Sequence, residues 1–361
     1  MMGEMENRRR WWLWLGALAA IGFALRVAGS LGGLWLDEAV SAIHARDAGT
    51  PMGVFLQINH DNNHHINSLW MQLVGFGAAP PLTRALSIAT STAAIVIAGL
   101  LGARRSPLLG LITASLFALS PILVTLGAEA RGYAPMSLAF LTALLLTDRW
   151  LAGDARHSPA TSLALCFFLG AFSQLITFFA FFALAGWVFF TLWHRDGFRS
   201  AVLGSLKLLA PSIIALALVA AIILGAAAAG GKGFKFGGWD PFSWMHYLRG
   251  ISEMVGYTLG FPDVAVAWFA LVPALVVFAR SAGYRASRST RLPFSPFPPR
   301  SPCSIRAMSA MRVIISWYRW RCSSSLPRWA GLGSSQADGS AGSPPSASDC
   351  SARAASPAMW S

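Results

Sequence analysis

Three short polar runs interrupt an otherwise apolar chain, and each carries residue types that can do chemistry. The first is Trp35-Leu36-Asp37-Glu38. A carboxylate at a membrane surface can take a proton from a hydroxyl as a general base, or hold a divalent cation against a phosphate. Adjacent side chains leave the backbone in different directions, so one carboxylate is the chemical group and the other a cap or partner. A structural use is equally open, with Asp37 as the N-cap of a helix over Glu38 to Arg46. The second run, His60-Asp61-Asn62-Asn63-His64-His65-Ile66-Asn67, offers groups able to bind a transition metal or orient a sugar hydroxyl. Its spacing fits no fixed ligand motif, and a solvated loop accounts for it as well. The third is Glu129-Ala130-Arg131-Gly132-Tyr133. Arg131 presents a planar fork of donors suited to phosphate, and Glu129 is also the local partner that a snorkelling arginine needs.

The elements that position these runs are membrane spans. The chain has 361 residues, is 55% apolar and only 12% charged, and its mean hydropathy is +0.54, a composition outside the soluble class. Runs long enough to cross hydrocarbon, about 20 residues, fall at about 11–29, 84–103, 108–127, 133–147, 160–175, 178–193, 203–225 and 262–279. The expected fold is therefore all-α, a polytopic transmembrane protein of about eight spans. The run after Arg8, Arg9 and Arg10 is longer than a signal-peptide core and lacks a clean cleavage site, so it reads as a retained first span.

Orientation follows from the basic connections, which stay in the cytoplasm. Arg8 to Arg10, Arg104 and Arg105, Arg149 and Arg156, His194 to Arg199, and Arg280 onward recur at every second turn. The N-terminus is then cytoplasmic, and the loops near 30–83, 128–132, 174–177 and 226–261 lie outside, so all three polar runs share the extracytoplasmic face. Within the first outer loop, Ile66 to Gly77 is apolar with Asn67 and Gln72 interspersed; too short to span, it reads as an interfacial helix anchored by Trp70. Lys232, Lys235 and Arg249 are outside cations that break the bias. They suit either a phosphate or the headgroups of anionic lipid.

The net charge of +13 does not indicate nucleic acid: from Arg280 onward there are 11 Arg against two Asp, +9 of that total. The chain divides into residues 1–280, which hold the spans, and 281–361, a Ser/Arg/Pro-rich tail without lysine. Such composition belongs to disordered segments and also to GC-rich DNA read out of frame, the favoured reading; the coding sequence near codon 280 distinguishes them. Cys166, Cys303, Cys322 and Cys350 show neither zinc-site nor disulfide-framework spacing.

Taken in order, L-W-L-D-E-A, D-N-N-H-H-I-N-S-L-W and L-S-P-I-L-V-T-L-G-A-E-A-R-G-Y-A resemble the polyprenyl-phosphate-dependent membrane glycosyltransferases of the C-type fold. These are the enzymes related to protein mannosyltransferases and lipid A aminoarabinose transferases. The resemblance covers about residues 10–280 and is strongest over 30–150. It implies a sugar donor carried on polyprenyl phosphate in the plasma (inner) membrane and an extracytoplasmic acceptor that is lipid, glycan or protein. Asp37, followed by Glu38, matches the family's catalytic acidic residue, and Glu129, Arg131 and Tyr133 match its E-A-R-x-Y segment, with the arginine serving the lipid phosphate. The family usually has His-Pro-Pro where this chain has His64-His65-Ile66. Lys232, Lys235 and Arg249 are further phosphate candidates, and Asp37, Glu129 and His64 are the side chains that would hold a divalent cation. The rival readings are a transporter or lipid flippase, which predicts inverted repeats and broken helices near the midplane, and an inactive fragment of the transferase.

Overall fold

The computed structural model describes residues 2–58, 64–230, 233–234 and 241–260. All of them belong to the first of two units into which the chain divides, Met1–Ser304. The expected span at 262–279, the tail 281–361, Lys232, Lys235 and the run His60 to Asn63 lie outside the described residues.

The described residues form helices and no strand: α1 (Met2–Gly29), α2 (Leu36–Asp47), α3 (Pro51–Gln57), α4 (His65–Val74), α5 (Pro80–Thr83), α6 (Ala85–Ala103), α7 (Pro107–Leu119), α8 (Pro121–Gly127), α9 (Tyr133–Leu151), α10 (Ala160–Ser173), α11 (Thr177–Asp196), α12 (Phe198–Ala229) and α13 (Trp244–Leu259). Each run read as a span before residue 230 falls on a helix or, for 108–127, on a helix pair. Four helices, Glu6–Gly29 within α1, α6, α11 and α12, are long and apolar enough to cross a membrane. A fifth span results if α7 and α8 are taken together across their 60° bend. The apolar helix α10 has only 14 residues, short of the usual spanning length.

Packing follows membrane rules rather than those of a water-soluble core. Large apolar side chains such as Leu13, Trp14, Phe179, Phe182 and Ile214 face outward, while small residues line the helix contacts. The α6–α7 hairpin shows why. A Cβ added to Gly102 would meet Thr113 Oγ1 at 2.6 Å and the Leu109 carbonyl at 2.8 Å, and one added to Gly110 would meet the Gly99 carbonyl at 2.8 Å. Glycines here let the two backbones approach, which is how helices gain packing where lipid supplies no hydrophobic drive. Ser106 accepts from the Leu109 N–H at 3.1 Å and Pro107 opens α7, so the turn is capped at its tightest point. Leu15, Ile95, Ala114 and Ala118 join α1, α6 and α7. Ala94, Ala98 and Leu141 join α6 to α9. Phe167, Leu184, Leu208 and Val219 lie in the larger core of α9 to α12.

Arg26 is an arginine buried inside α1. It donates to the carbonyls of Gly22 and Phe117, each at 2.9 Å, of Leu123 at 3.3 Å and of Ala118 at 3.4 Å. Phe117 and Ala118 end α7, where the break at Ser120-Pro121 strips carbonyls of their helical partners. Arg26 thus caps a neighbouring helix, its charge set against the negative end of the α7 dipole.

The helix ends segregate into two polar layers. At one end Arg104, the C-cap of α6, pairs with Asp148 and Asp154, each at 2.7 Å, and these carboxylates raise its pKa above the ordinary arginine value through their hydrogen bonds. The ends of α1, α6, α8, α9 and α10 meet at the other pole, where Asp37, Glu38, His64 and residues 129–133 come together. Residues 36–58 and 64–83 fold over that pole as short helices tied together by side chains: Gln72 donates to the Ala45 and Thr50 carbonyls, and Trp70 Nε1 to the Leu82 carbonyl. The stretch read as an interfacial helix, Ile66 to Gly77, largely coincides with α4. That helix buries His65, Asn67, Ser68 and Met71 and packs on α2, α3 and α10.

Candidate functional site

Asp37 and Glu38 take opposite roles. α2 begins at Leu36, which places Asp37 in its first turn rather than at the N-cap, and Glu38 one residue further on. Glu38 is fully buried. Its Oε1 accepts from Arg84 Nε at 2.9 Å and from the Ala130 N–H at 2.5 Å. Its Oε2 accepts from Arg84 Nη2 at 2.6 Å and from the Trp35 N–H at 2.8 Å, the latter half of a capping box. A carboxylate has about four acceptor sites, and Glu38 has filled them all. Burial alone would raise its pKa. The Arg84 hydrogen bond outweighs that together with the Ala130 and Trp35 N–H groups and holds the carboxyl below its ordinary value.

Arg84 is equally saturated. Beyond Glu38, its Nη1 donates to the carbonyls of Ser30 at 2.7 Å and Gly32 at 2.8 Å, and its Nη2 to that of Gly33 at 2.8 Å. All five guanidinium donors are used. The pair therefore fastens four pieces of chain together: the exit of α1, the start of α2, the head of α6 and the loop before α9. Sequence reasoning passed over Arg84. The available signal was an arginine at the head of the apolar run 84–103, where an ionisable group needs a partner.

Asp37 points the other way, with its side chain 56% exposed, and its Oδ2 lies 3.1 Å from Arg131 Nη1. Arg131 is the hub of a second group. Its Nη1 also faces Glu129 Oε2 at 3.9 Å. Its Nε donates to His64 Nε2 at 3.3 Å, and its guanidinium carbon sits 4.9 Å from the centre of the Tyr133 ring, in cation–π range. His64 Nδ1 lies 3.3 Å from the Ser173 carbonyl. The neutral tautomer with its proton on Nδ1 satisfies both contacts, donating to Ser173 and accepting from Arg131. The Arg131 carbonyl accepts from Ser87 Oγ at 3.1 Å, so α6 fixes the backbone beneath the guanidinium.

Glu129 is largely buried beside Arg131. Burial raises its pKa above the ordinary carboxylate value; the charge of Arg131 pulls it down without cancelling the effect, and Glu38 and Asp37 push it up further. Gly132 explains how the loop comes so close to α10: a Cβ there would stand 1.6 Å from the Ser173 carbonyl and 2.9 Å from His64 Nδ1. Only glycine lets residues 129–133 lie against Ser173 while His64 fits between them.

Of the remaining expected residues, His65 turns away. It is fully buried, stacked on Phe55 at 5.4 Å and set edge-on to Phe172 at 5.7 Å. Arg249 lies on α13, exposed and paired with Glu253 at 2.8 Å, and joins none of these residues. Lys232 and Lys235 fall outside the described residues. The side chains expected to hold a cation, Asp37, Glu129 and His64, all converge on the Arg131 guanidinium. Among the described residues no group of three or more His, Cys, Asp or Glu side chains forms a metal-ion cage.

The site thus pairs an exposed carboxylate with a cation held on three sides, at one pole of a helical bundle. That arrangement can bind an anionic group at Arg131 and accept a proton at Asp37. No family model, curated protein or solved structure matches the chain.

Proposed function

We propose that the chain is a membrane glycosyltransferase that moves a sugar from polyprenyl phosphate to a hydroxyl of an extracytoplasmic acceptor. The observation that carries the reading is the contact between exposed Asp37 and Arg131, with Arg131 braced by Glu129, His64 and Tyr133. The order of the three motifs adds to it. A lipid-linked sugar already carries a phosphate leaving group, so the protein has two tasks: to deprotonate the acceptor and to stabilise the charge left on phosphate.

In this scheme the donor phosphate docks at Arg131 and competes with Asp37 for the guanidinium, which releases the carboxylate to act as base. The acceptor oxygen bonds to the anomeric carbon as its proton passes to Asp37. The bond from that carbon to the phosphate oxygen breaks, and its electron pair stays on the phosphate. Glu38 does no chemistry here; one residue beyond Asp37 in the same turn of α2, it holds that turn in place. About eight spans, a cytoplasmic N-terminus, a place in the plasma membrane and a headgroup-level position for Ile66 to Gly77 complete the reading.

The α7–α8 break is an observation that favours a transporter, since broken helices commonly line ion sites. Here, however, Arg26 occupies carbonyls that the break frees, and the Arg104 and Arg131 groups lie at the two ends of the bundle. Reconstituted protein given a radiolabelled polyprenyl-phosphate sugar should pass the label to an acceptor hydroxyl. Solute uptake into the same vesicles without donor, and no transfer, would sink the transferase in favour of transport.

A further inference from the structure

The helix α13, Trp244–Leu259, is 16 residues long, about 24 Å at about 1.5 Å per residue. With each residue turning about 100°, Trp244, Tyr247, Leu248, Ile251, Val255 and Leu259 share one arc, and His246, Arg249 and Glu253 the opposite one. The first half of the apolar arc is bare, with Trp244 69% exposed and Leu248 56%, while Ile251, Val255 and Leu259 are half-buried. Gly256 is the helix's single buried residue. The aromatic rings at the start touch one another, Phe242 on Trp244 at 5.0 Å and Trp244 on Tyr247 at 6.0 Å.

Its attachment to the body is at the far end. The Tyr257 hydroxyl meets that of Thr125 at 3.0 Å, and Gly260 approaches Pro121. Thr258 and Leu259 line an apolar groove with Leu116 and Leu119 of α7. Leu108, Ile112, Leu116 and Leu119 form the exposed stripe of α7, and that stripe ends at Leu119, where α13 is fastened. The far end of α13 is therefore fastened beside the α7–α8 break.

We propose that α13 lies in the headgroup layer of the bilayer, its Trp244–Leu259 arc toward the acyl chains and its Arg249–Glu253 face toward water. A helix this short does not cross a hydrocarbon layer of about 30 Å, and hydrocarbon would not accept Arg249, Glu253 and His246. Water would not favour the bare half of the arc, where Phe242, Trp244, Tyr247 and Leu248 are exposed together, because a contiguous exposed apolar patch marks an interaction surface. The interface satisfies both faces, and Trp244 and Tyr247 are the ring types enriched there. Arg249 and Glu253 neutralise each other, so the attachment relies on apolar burial rather than on anionic lipid. This inference goes beyond sugar transfer and holds whether or not that activity is found.

The test uses the full chain with Cys166→Ala, Cys303→Ser, Cys322→Ser and Cys350→Ser, reconstituted in phosphatidylcholine vesicles. Single cysteines are introduced as His246→Cys, Leu248→Cys, Arg249→Cys, Ile251→Cys, Glu253→Cys and Val255→Cys, all away from the core, and spin-labelled. The ratio of oxygen to nickel-chelate accessibility should be high at 248, 251 and 255 and low at 246, 249 and 253, with no drift along the helix. The pattern should be unchanged when phosphatidylglycerol is added. A ratio that drifts steadily with residue number would mean the helix inserts. Uniform access to the nickel chelate would place it in water, and shielding of the apolar arc from both reagents would mean protein covers it. Any of these three overturns the proposal.

Discussion

The Arg84 knot and the Arg131 cluster are built from the same materials and adjoin through neighbouring residues, Glu38 beside Asp37 and Ala130 beside Arg131, yet they differ in the one property that separates architecture from chemistry. Arg84 and Glu38 are buried, bidentate and saturated, with every donor and acceptor spoken for by the other or by backbone. Arg131 meets Asp37 through one nitrogen at a longer distance, and Asp37 is more than half exposed. A saturated pair can only hold; an open one can exchange partners. Two adjacent carboxylates thus become a strut and a candidate base, because α2 aims one inward and the other out.

The sharpest way to break this contrast is to remove one half of the strut. Arg84→Ala leaves Glu38 charged and buried with no cation, together with carbonyls at 30, 32 and 33 that lose their donor. Breaking a buried pair in this way costs about 3–5 kcal/mol, so the variant should lose its thermal transition in detergent or fail to accumulate in the membrane. A variant that melts like the parent would mean the knot is not structural. Asp37→Asn is the matching change on the other side. It should leave the melting temperature unchanged and lower sugar transfer about 10²–10⁴-fold, the range that one positioned base contributes. Loss of folding with Asp37→Asn would erase the distinction between the two carboxylates.

What could be read from the chain follows from which signals are local. Helices at the apolar runs were legible because composition sets them, and Asp37, Glu129, Arg131 and His64 do meet at one pole. Partner choice was not legible. Nothing in L-W-L-D-E-A says that Glu38 faces Arg84, 46 positions away, because that depends on how α2 docks on α6. His64 and His65 look alike in sequence, but packing sends one to Arg131 and the other between Phe55 and Phe172. Helix boundaries were also too generous a guide to spans: α10 is helical as expected but short, and the run 108–127 is bent at Pro121. Arg249 suits a phosphate or an anionic headgroup by its position in the chain alone, and its i,i+4 partner Glu253 accounts for it locally.

Gly132 offers a smaller and more local test. Gly132→Ala forces a methyl group into the Ser173 carbonyl and His64, and overpacking of this kind costs about 1–3 kcal/mol. The loop can relieve the clash only by lifting Arg131 away from His64. The knot, which grips the same loop through the Ala130 N–H, should keep the protein folded. The expected result is a modest fall in melting temperature with a larger relative fall in donor binding, measured by titrating polyprenyl phosphate. Equal losses in both would mean that the knot and the cluster move as one body.

The finest distinction is the sign of a pH effect. Glu38 is held below its ordinary pKa in the folded protein, so it adds stability above the unfolded carboxyl value, about 4.3, and that contribution is lost as pH falls through the folded value. Glu129 is raised: its contribution is full below about 4.3 and is lost as pH rises through its folded value, because the folded state then binds the proton more tightly than the unfolded state does. The neutral isostere should therefore act in opposite directions at the two positions. At pH 7 Glu38→Gln should lower the melting temperature and Glu129→Gln should hold or raise it, and both differences should shrink toward zero as the pH is brought below about 4. Burial is the largest influence on both groups; what separates them is that Arg84 answers Glu38 with two short hydrogen bonds, whereas Arg131 answers Glu129 from 3.9 Å. If Glu129→Gln destabilises the protein at pH 7 as much as Glu38→Gln does, Glu129 belongs to the strut, and Asp37 is left as the single open carboxylate of the two groups.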